Sequence, residues 1–383
     1  MLASIALLSA PVIYVVLAYC LGHAKQQILF IYCLATIAIS SIRWESGTDW
    51  DFYYSLYLNS FSYYIEKGYF FLSNISSNLG ISYNFFLAIL ALPWILLAYL
   101  PVARLKLNYQ ASCIYFVALY SLCFLTFIGG RQQVAIAMFL ALIFARSLLS
   151  KILIISIGAL FHSSFLFFSL VLYAVYFLNG GLKIIVNRVK QLSLIRKPLV
   201  YYSAALVLIS AVILVFALGL PVFINIIAAV RPSYVYYFEY ANLYVRDPGS
   251  QALRTALKMS FYILPPLIAN LFAYRNKAAL TLPQDLRVLK FYSSPKSGAL
   301  LVIAIFLFCL STLNPNIGGR LELYLRPLLA IQVSLFASAY FNFNARSKFA
   351  WPILILIFGL LSKFILSLFA DNLYLPYTNI LTN

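Results

Sequence analysis

Long apolar runs alternate with short polar loops along most of this chain. A helix of about twenty apolar residues is long enough to cross a bilayer. The runs that approach or reach this length are 2–21, 27–42, 83–103, 111–128, 131–149, 199–218, 255–274, 298–313, 321–341 and 350–370. The pattern predicts an all-α, polytopic integral membrane protein that folds as a single domain over residues 1–383, with about 10–12 transmembrane helices.

The apolar stretch 152–178 does not fit a simple crossing. A single crossing would place the basic stretch 183–197 outside, whereas Lys and Arg collect in cytoplasmic loops. We therefore predict that 152–178 enters the membrane and returns as a broken, re-entrant pair of short helices, with His162 near the turn. The alternative is a single crossing that leaves 183–197 outside, where its positive charge would bind a lipid diphosphate.

Two longer polar segments are predicted to lie on the outer side. Residues 43–82 carry an acidic turn followed by an amphipathic segment, and residues 231–250 form a loop rich in tyrosine. Tyrosines are common at the membrane–water interface, so most of them are explained by an interfacial belt.

Composition excludes a soluble protein. The chain is 64% hydrophobic, with a mean hydropathy of +0.94, and only 9% of its residues are charged, against about 25% in soluble domains. The net charge of +18 would suggest nucleic acid in a soluble protein. Here it follows from basic cytoplasmic loops, so the expected surroundings are a lipid bilayer and no nucleic-acid partner.

Arg131 follows Gly129 and Gly130 at the predicted start of an apolar helix. A guanidinium pairs bidentately with phosphate oxygens, and a helix N-terminus adds free N–H groups and partial positive charge. We predict that Arg131 and Gln132 bind a diphosphate. The alternative is an interfacial arginine that reaches towards lipid headgroups.

The sequence Gly318-Gly319-Arg320 repeats this arrangement at the predicted head of a later helix. Arg320 is the candidate for a second diphosphate contact, and Arg326 lies roughly 9 Å further along the helix. Glu322 and Arg326 are spaced i,i+4, a spacing that also favours a structural ion pair on one helix face.

His162 lies within an apolar segment beside Ser163 and Ser164. A histidine in this setting suits a general base or a ligand of the leaving group. The structural alternative is a hydrogen bond between two helices.

The outer segments carry candidate sugar ligands. Asp49 is a candidate catalytic group that would orient or deprotonate an acceptor hydroxyl. Asp51, Trp50, Glu66 and Tyr237 are the candidates for sugar binding, because carboxylates bind hydroxyls and aromatic faces pack on sugar rings. The alternative is that these acidic residues form an ordinary solvated loop.

Several familiar signatures are missing. The sequence has no nucleotide-binding glycine loop with a lysine, no cluster with metal-ligand spacing and no serine nucleophile elbow. The expectation is a protein without a cofactor or metal, and an ATP-driven pump or a zinc protease is disfavoured.

The chain resembles the EpsG family of bacterial polysaccharide polymerases, which are similar in role to Wzy-type O-antigen polymerases. The resemblance rests on an ordered series of short motifs: Gly47-Thr48-Asp49, Glu66-Lys67-Gly68-Tyr69, Arg131-Gln132-Gln133, Phe161-His162-Ser163-Ser164, Arg320-Leu321 and Tyr374-Leu375-Pro376-Tyr377. The family often has proline where this chain has Lys67, a departure that concerns the shape of the loop more than the chemistry.

The resemblance implies a glycosyltransferase at the outer face of the bacterial plasma membrane. It would transfer a growing glycan from undecaprenyl diphosphate to a new lipid-linked repeat unit. Arg131, with Arg320, would stabilise the departing diphosphate, and His162 or a carboxylate would take the acceptor proton. A chain-length regulator and a flippase are the candidate protein partners.

Two other functions compete with this interpretation. A flippase for the same lipid-linked oligosaccharide would also carry arginines, but it should show paired halves, and no internal repeat is visible. A polytopic acyltransferase would also use a histidine, yet its donor is not a diphosphate and would leave the outer arginines unexplained.

Overall fold

A computed structural model describes part of the chain. The described residues are 13–15, 34, 38, 50–59, 66–107, 109–127, 130–162, 164–166, 168–170, 173, 300, 303–304, 307 and 315–343. Within these ranges every regular element is an α-helix, in agreement with the predicted all-α class.

Eight of the described helices are long enough to place the residues of interest. In chain order they are α1 Trp50–Asn59, α2 Lys67–Asn78, α3 Tyr83–Ala91, α4 Pro93–Arg104, α5 Tyr109–Phe127, α6 Arg131–Phe144, α7 Leu148–Phe161 and α8 Pro315–Phe343. The predicted amphipathic segment in 43–82 corresponds to α2. Gly80, two residues beyond the end of α2, has a φ of +67°, which suits a residue without a Cβ.

Helices α3 and α4 form one apolar unit, Tyr83–Arg104, of 22 residues, and its most apolar window of 18 residues has a mean hydropathy of 2.3. This stretch is long enough and apolar enough to cross a membrane. Among the described residues, it is the helix that meets both the length and the composition criteria. Pro93 begins α4, a position where the missing N–H costs nothing. The prediction of a span at 83–103 is confirmed to this extent.

Helix α5 is buried among the described helices. Every side chain from Ala111 to Tyr120 is buried, and α5 makes its most extensive contacts with α8. A helix that is apolar and buried on all sides needs neighbours all round it. The other large contacts join α6 to α7 and α4 to α6, so α6 packs between the membrane-length unit and α7.

The predicted span 131–149 is shorter in the structure. Helix α6 ends at Phe144, and Ala145 has the extended backbone of a helix terminus (ψ 132°). The Ser147 side chain then accepts from the Ser150 backbone N–H at 3.0 Å and caps the start of α7. The Ser147 cap therefore divides the predicted span 131–149 between α6 and the start of α7.

The predicted break in 152–178 is present at His162. Helix α7 ends there, since His162 has an extended backbone (φ −161°, ψ 123°), and helical residues resume at 164–166. The Phe165 ring folds back onto Gly158, where a Cβ would meet it at 2.7 Å. The helix is therefore broken at His162, whereas the course of the chain through 183–197 lies outside the described residues.

Helix α8 begins earlier than predicted. It starts at Pro315, so Gly318, Gly319 and Arg320 lie inside the helix instead of at its head. The free N–H groups of a helix belong to its first turn. The helix-terminus argument for an anion site at Arg320 is therefore wrong.

Other predicted elements fall on residues that the structure does not describe, in whole or in large part. They are the spans 2–21, 27–42, 199–218, 255–274, 298–313 and 350–370 and the loop 231–250.

Helices α2 and α7 approach each other closely at Gly68. A Cβ added to Gly68 would lie 2.9 Å from the backbone oxygen of Leu160. Real Cβ atoms essentially never come so close to backbone, so only glycine permits this approach. The contact sets the position of α2 relative to the end of α7.

Replacing Gly68 with alanine should destabilise the protein by about 1–3 kcal/mol, the usual cost of overpacking. The direction of the change in stability is diagnostic, because replacing glycine with alanine at an exposed helix position normally stabilises a protein by about 1 kcal/mol. The thermal unfolding midpoint in detergent is the measurement, with Lys67→Ala at the exposed neighbouring position as the control. A midpoint unchanged or raised by Gly68→Ala would show that α2 and α7 do not meet in this way.

Candidate functional site

Arg131 and Glu66 form an ion pair between the start of α6 and the start of α2. The Arg131 Nη1 atom donates to Glu66 Oε2, and the two side chains are 14% and 7% exposed. The guanidinium carbon lies 5.5 Å from the centre of the Tyr53 ring, a distance at which a cation is attracted to the aromatic face. Arg131 is thus held on two sides by residues of the segment 43–82, which the sequence predicts to lie outside.

Arg131 occupies the first position of α6, as the sequence predicts. The residue before it, Gly130, has a φ of +51°, a conformation in which glycine is favoured. Among the described residues, a Cβ on Gly130 would contact Tyr69 and Leu90, at 3.8 and 3.9 Å. The cationic side chain and the helix N-terminus therefore coincide at one place, which suits an anion.

Glu66 has a different role from the predicted sugar contact. Its carboxylate is buried and serves as the counter-ion of Arg131. A buried charge is costly unless it is paired, and Arg131 lies 65 positions away in sequence. The pairing depends on the packing of α2 against its neighbours and has no local signature.

His162 is buried, with 4% of its surface exposed, and takes part in a chain of hydrogen bonds. The backbone N–H of Ser164 donates to His162 Nδ1 at 3.3 Å, and Ser164 Oγ lies 2.6 Å from the same nitrogen. Ser164 Oγ is also 3.0 Å from the hydroxyl of Tyr324 in α8. The chain joins the helix break to a helix 160 positions away.

The ion pair and the histidine chain belong to one region. Gly68 touches the backbone of Leu160, and Glu66 and His162 each lie two residues from that contact. The structure thus brings a cation, a carboxylate, an imidazole and two hydroxyls into one polar region among apolar helices.

Arg326 has the surroundings of a structural residue. It donates to Glu322 at 2.5 Å and to the carbonyl oxygen of Leu122 in α5 at 2.9 Å. The side chains of Arg326 and Glu322 are 3% and 2% exposed. The predicted i,i+4 ion pair is confirmed. The geometry offers no support for diphosphate binding by Arg326, because the group is enclosed between α5 and α8.

Trp50 is part of the protein core, contrary to the prediction of a sugar platform. It is 4% exposed, stacks on Tyr54 at 4.8 Å and meets the Tyr83 ring edge-on at 5.7 Å. Aromatic packing of this kind buries apolar surface and leaves no ring face for a ligand. Asp51 beside it is exposed in the first turn of α1, where a carboxylate complements the helix dipole.

Four predicted site residues are less fully defined. Asp49 and Tyr237 lie outside the described residues, and Arg320 is placed as a helical residue of α8 without a described side chain. Gln132 follows Arg131 in α6 and is partly buried. Their predicted contacts with sugar and diphosphate stay predictions.

Tyr53 and Tyr324 are site residues that the sequence analysis did not select. Tyr53 is one of many tyrosines in the segment 43–82, and Tyr324 lies between Glu322 and Arg326 in an apolar helix. Neither has a sequence feature that separates it from interfacial or core tyrosines. Ser164 was signalled by its position beside His162, although its bond to Tyr324 was not.

Comparison with known proteins gives the identity of the family. The EpsG family matches residues 27–379, which is nearly the whole chain. No curated protein and no solved structure matches this chain. The match covers all the motifs on which the resemblance rests, from the Gly-Thr-Asp turn to the C-terminal Tyr-Leu-Pro-Tyr. The chain belongs to the EpsG family of membrane proteins, whose members resemble Wzy-type polysaccharide polymerases.

Proposed function

We propose that this protein polymerises oligosaccharide repeat units linked to undecaprenyl diphosphate at the outer face of the bacterial plasma membrane. Membership of the EpsG family supports polymerase-like activity in a membrane protein. The observation that carries the specific proposal is the ion pair of buried Glu66 with partly buried Arg131 at a helix N-terminus, beside the His162 hydrogen-bond chain.

Arg131 matches the electrostatic need of a diphosphate leaving group. Negative charge develops on the diphosphate as its bond to the sugar breaks, and preorganised donors at that point usually make the largest contribution to catalysis. A guanidinium carries five N–H donors in a planar fork. The phosphate oxygens of the bound substrate would meet this planar fork, and Glu66 fixes the position of the fork before substrate arrives.

The reaction balances without a cofactor. An acceptor hydroxyl oxygen bonds to the anomeric carbon of the growing glycan, and the bond from that carbon to the diphosphate oxygen breaks. The electron pair leaves with the lipid diphosphate. The hydroxyl proton passes to a base, for which the sequence nominates Asp49 and His162. The donor already carries the energy, so nucleotide hydrolysis is not needed at this face.

The lipid tails of both substrates would enter from the bilayer between helices. Several leucines and isoleucines of α7, including Leu148, Leu149 and Ile152, are exposed. A helix that presents such a surface is suited to contact with lipid. A flippase that delivers the repeat units and a regulator of chain length are the protein partners that we propose.

Purified protein in vesicles should build a polymer ladder from undecaprenyl-diphosphate-linked repeat units. The measurement is gel electrophoresis of the lipid-linked products over time. Repeat units on a lipid monophosphate are the matched control and should not be extended, because the monophosphate is a poorer leaving group that makes fewer contacts with Arg131.

Two outcomes would refute the proposal. Transfer of labelled repeat units across the vesicle membrane without chain growth would identify a flippase. A ladder that forms equally well from the monophosphate donor would remove the role of the diphosphate.

A further inference from the structure

We propose that α2 is an interfacial helix that lies against the lipid bilayer and places Phe71, Ile75 and Leu79 among the acyl chains. We call these three residues the apolar stripe. An amphipathic helix that lies in the interface buries its apolar face at the boundary between headgroups and acyl chains. Contact of this helix with lipid is independent of the reaction that the protein catalyses.

The outward side of α2 is apolar. Phe71, Ile75 and the C-cap residue Leu79 are 67%, 40% and 71% exposed. They follow one another at intervals of four residues, so they lie on one face of the helix. The charged residue within α2 is Lys67 at its first position, and the stripe itself carries no charge. A contiguous exposed apolar surface marks a site of contact with a membrane or a protein.

The inward side of α2 carries mostly small residues. The side chains that α2 buries are Tyr69, Ser73 and Ser76, and Gly68 permits the close approach to the backbone of Leu160. Small residues line the contacts between helices that lie in lipid, because a large apolar side chain gains little by leaving lipid for the protein interior. A helix in water shows the reverse arrangement, with its large apolar side chains turned inward.

The apolar stripe continues into the membrane-length unit. The backbone N–H of Ile81 donates to the carbonyl oxygen of Ser76 at 3.0 Å, so the connection from α2 to α3 turns tightly. Beyond it, Phe85 in α3 and Tyr99 in α4 are 61% and 54% exposed. A helix that crosses a bilayer places such side chains in lipid. The end of α2 is therefore held close to a lipid-facing surface.

A bilayer fits the apolar stripe better than a protein partner does. The stripe has three side chains along about 12 Å of helix, whereas a stable protein–protein interface uses about 20–30 residues on each side. The chain belongs to a family of membrane proteins, so lipid surrounds its membrane-length helix. Lipid needs no shape complementarity and can cover a narrow stripe.

An interfacial α2 sets the depth of the Arg131–Glu66 pair. Glu66 immediately precedes α2 as its N-cap residue, so a helix held in the interface keeps this carboxylate and its cationic partner close to the headgroups. The diphosphate of a lipid-linked donor would then reach Arg131 without leaving the headgroup layer, a consequence that rests on the proposed function.

Nitroxide labelling of the full-length protein tests the lipid contact. The five native cysteines are replaced by alanine, and the label is attached to Phe71→Cys, Ile75→Cys or Leu79→Cys in vesicles of phosphatidylethanolamine and phosphatidylglycerol. Collisions with oxygen, which concentrates in lipid, are compared with collisions with a water-soluble nickel chelate. Tyr99→Cys in α4 is the lipid reference, and Lys106→Cys, exposed just beyond α4, is the aqueous reference.

We expect the ratio of oxygen to nickel collisions at all three stripe positions to match that at Tyr99 and to exceed that at Lys106 several-fold. Ratios equal to that at Lys106 would show that the stripe faces water and would overturn the inference. Labels that neither reagent reaches would show a covering protein, a second copy of the chain or another partner, and would also overturn it. Lipid contact in a protein that builds no ladder would refute the proposed function and leave the interfacial helix intact.

Discussion

Replacing both Arg131 and Glu66 with glutamine should stop polymer growth, with a loss of about 10²- to 10³-fold or more, while the protein stays folded. The loss follows because the cation that stabilises the departing diphosphate is gone. The fold is retained because the double change leaves no unpaired buried charge. The measurements are the initial rate of ladder formation and the thermal unfolding midpoint in detergent.

The single change Arg131→Gln is a poorer experiment. It leaves the Glu66 carboxylate buried without its cation, and removal of one partner from a buried pair typically costs about 3–5 kcal/mol. A loss of activity would then be mixed with unfolding. Arg131→Lys is the informative companion, since it keeps the charge and loses the planar fork. We expect that variant to fold normally and to polymerise slowly.

Arg146 supplies the matched control for both variants. It lies just beyond the other end of α6 and is exposed, so Arg146→Gln removes the same charge at a distance from the site. It should leave the ladder unchanged. Full activity of the double variant would contradict the assignment of Arg131 to the diphosphate.

Replacing Glu322 with leucine should destabilise the protein by about 3–5 kcal/mol, because Arg326 is then a buried cation without a counter-ion. The double variant Glu322→Leu/Arg326→Met should recover most or all of this stability. A buried ion pair exchanged for apolar residues of similar volume is often neutral or stabilising. The thermal unfolding midpoints of the two variants measure the difference.

The double variant also decides between the two roles considered for Arg326. As a structural residue it should leave polymerisation within a few fold of wild type. A folded double variant that builds no ladder would restore Arg326 as a diphosphate contact and contradict the enclosed position between α5 and α8.

The sequence determined the helical class, several helix positions and the chemistry to look for. The span at 83–103, the start of a helix at Arg131 and the break near His162 are all present in the structure. These features follow from local causes: apolar length, glycine before a helix start, and a polar cluster within an apolar run. Local causes can be read along the chain because neighbouring residues produce them.

The tertiary structure alone decided which side chains meet. Glu66 pairs with Arg131, and Trp50 packs in the aromatic core. Tyr324 is hydrogen-bonded to Ser164, 160 positions away in the sequence. The start of α8 at Pro315 also moved Arg320 away from a helix head. A charge, an indole or a hydroxyl has the same sequence pattern whether it binds a ligand or a neighbouring helix. The partner depends on how helices distant in sequence pack together, because a polar group that is buried without a hydrogen-bond or ion-pair partner is strongly destabilising.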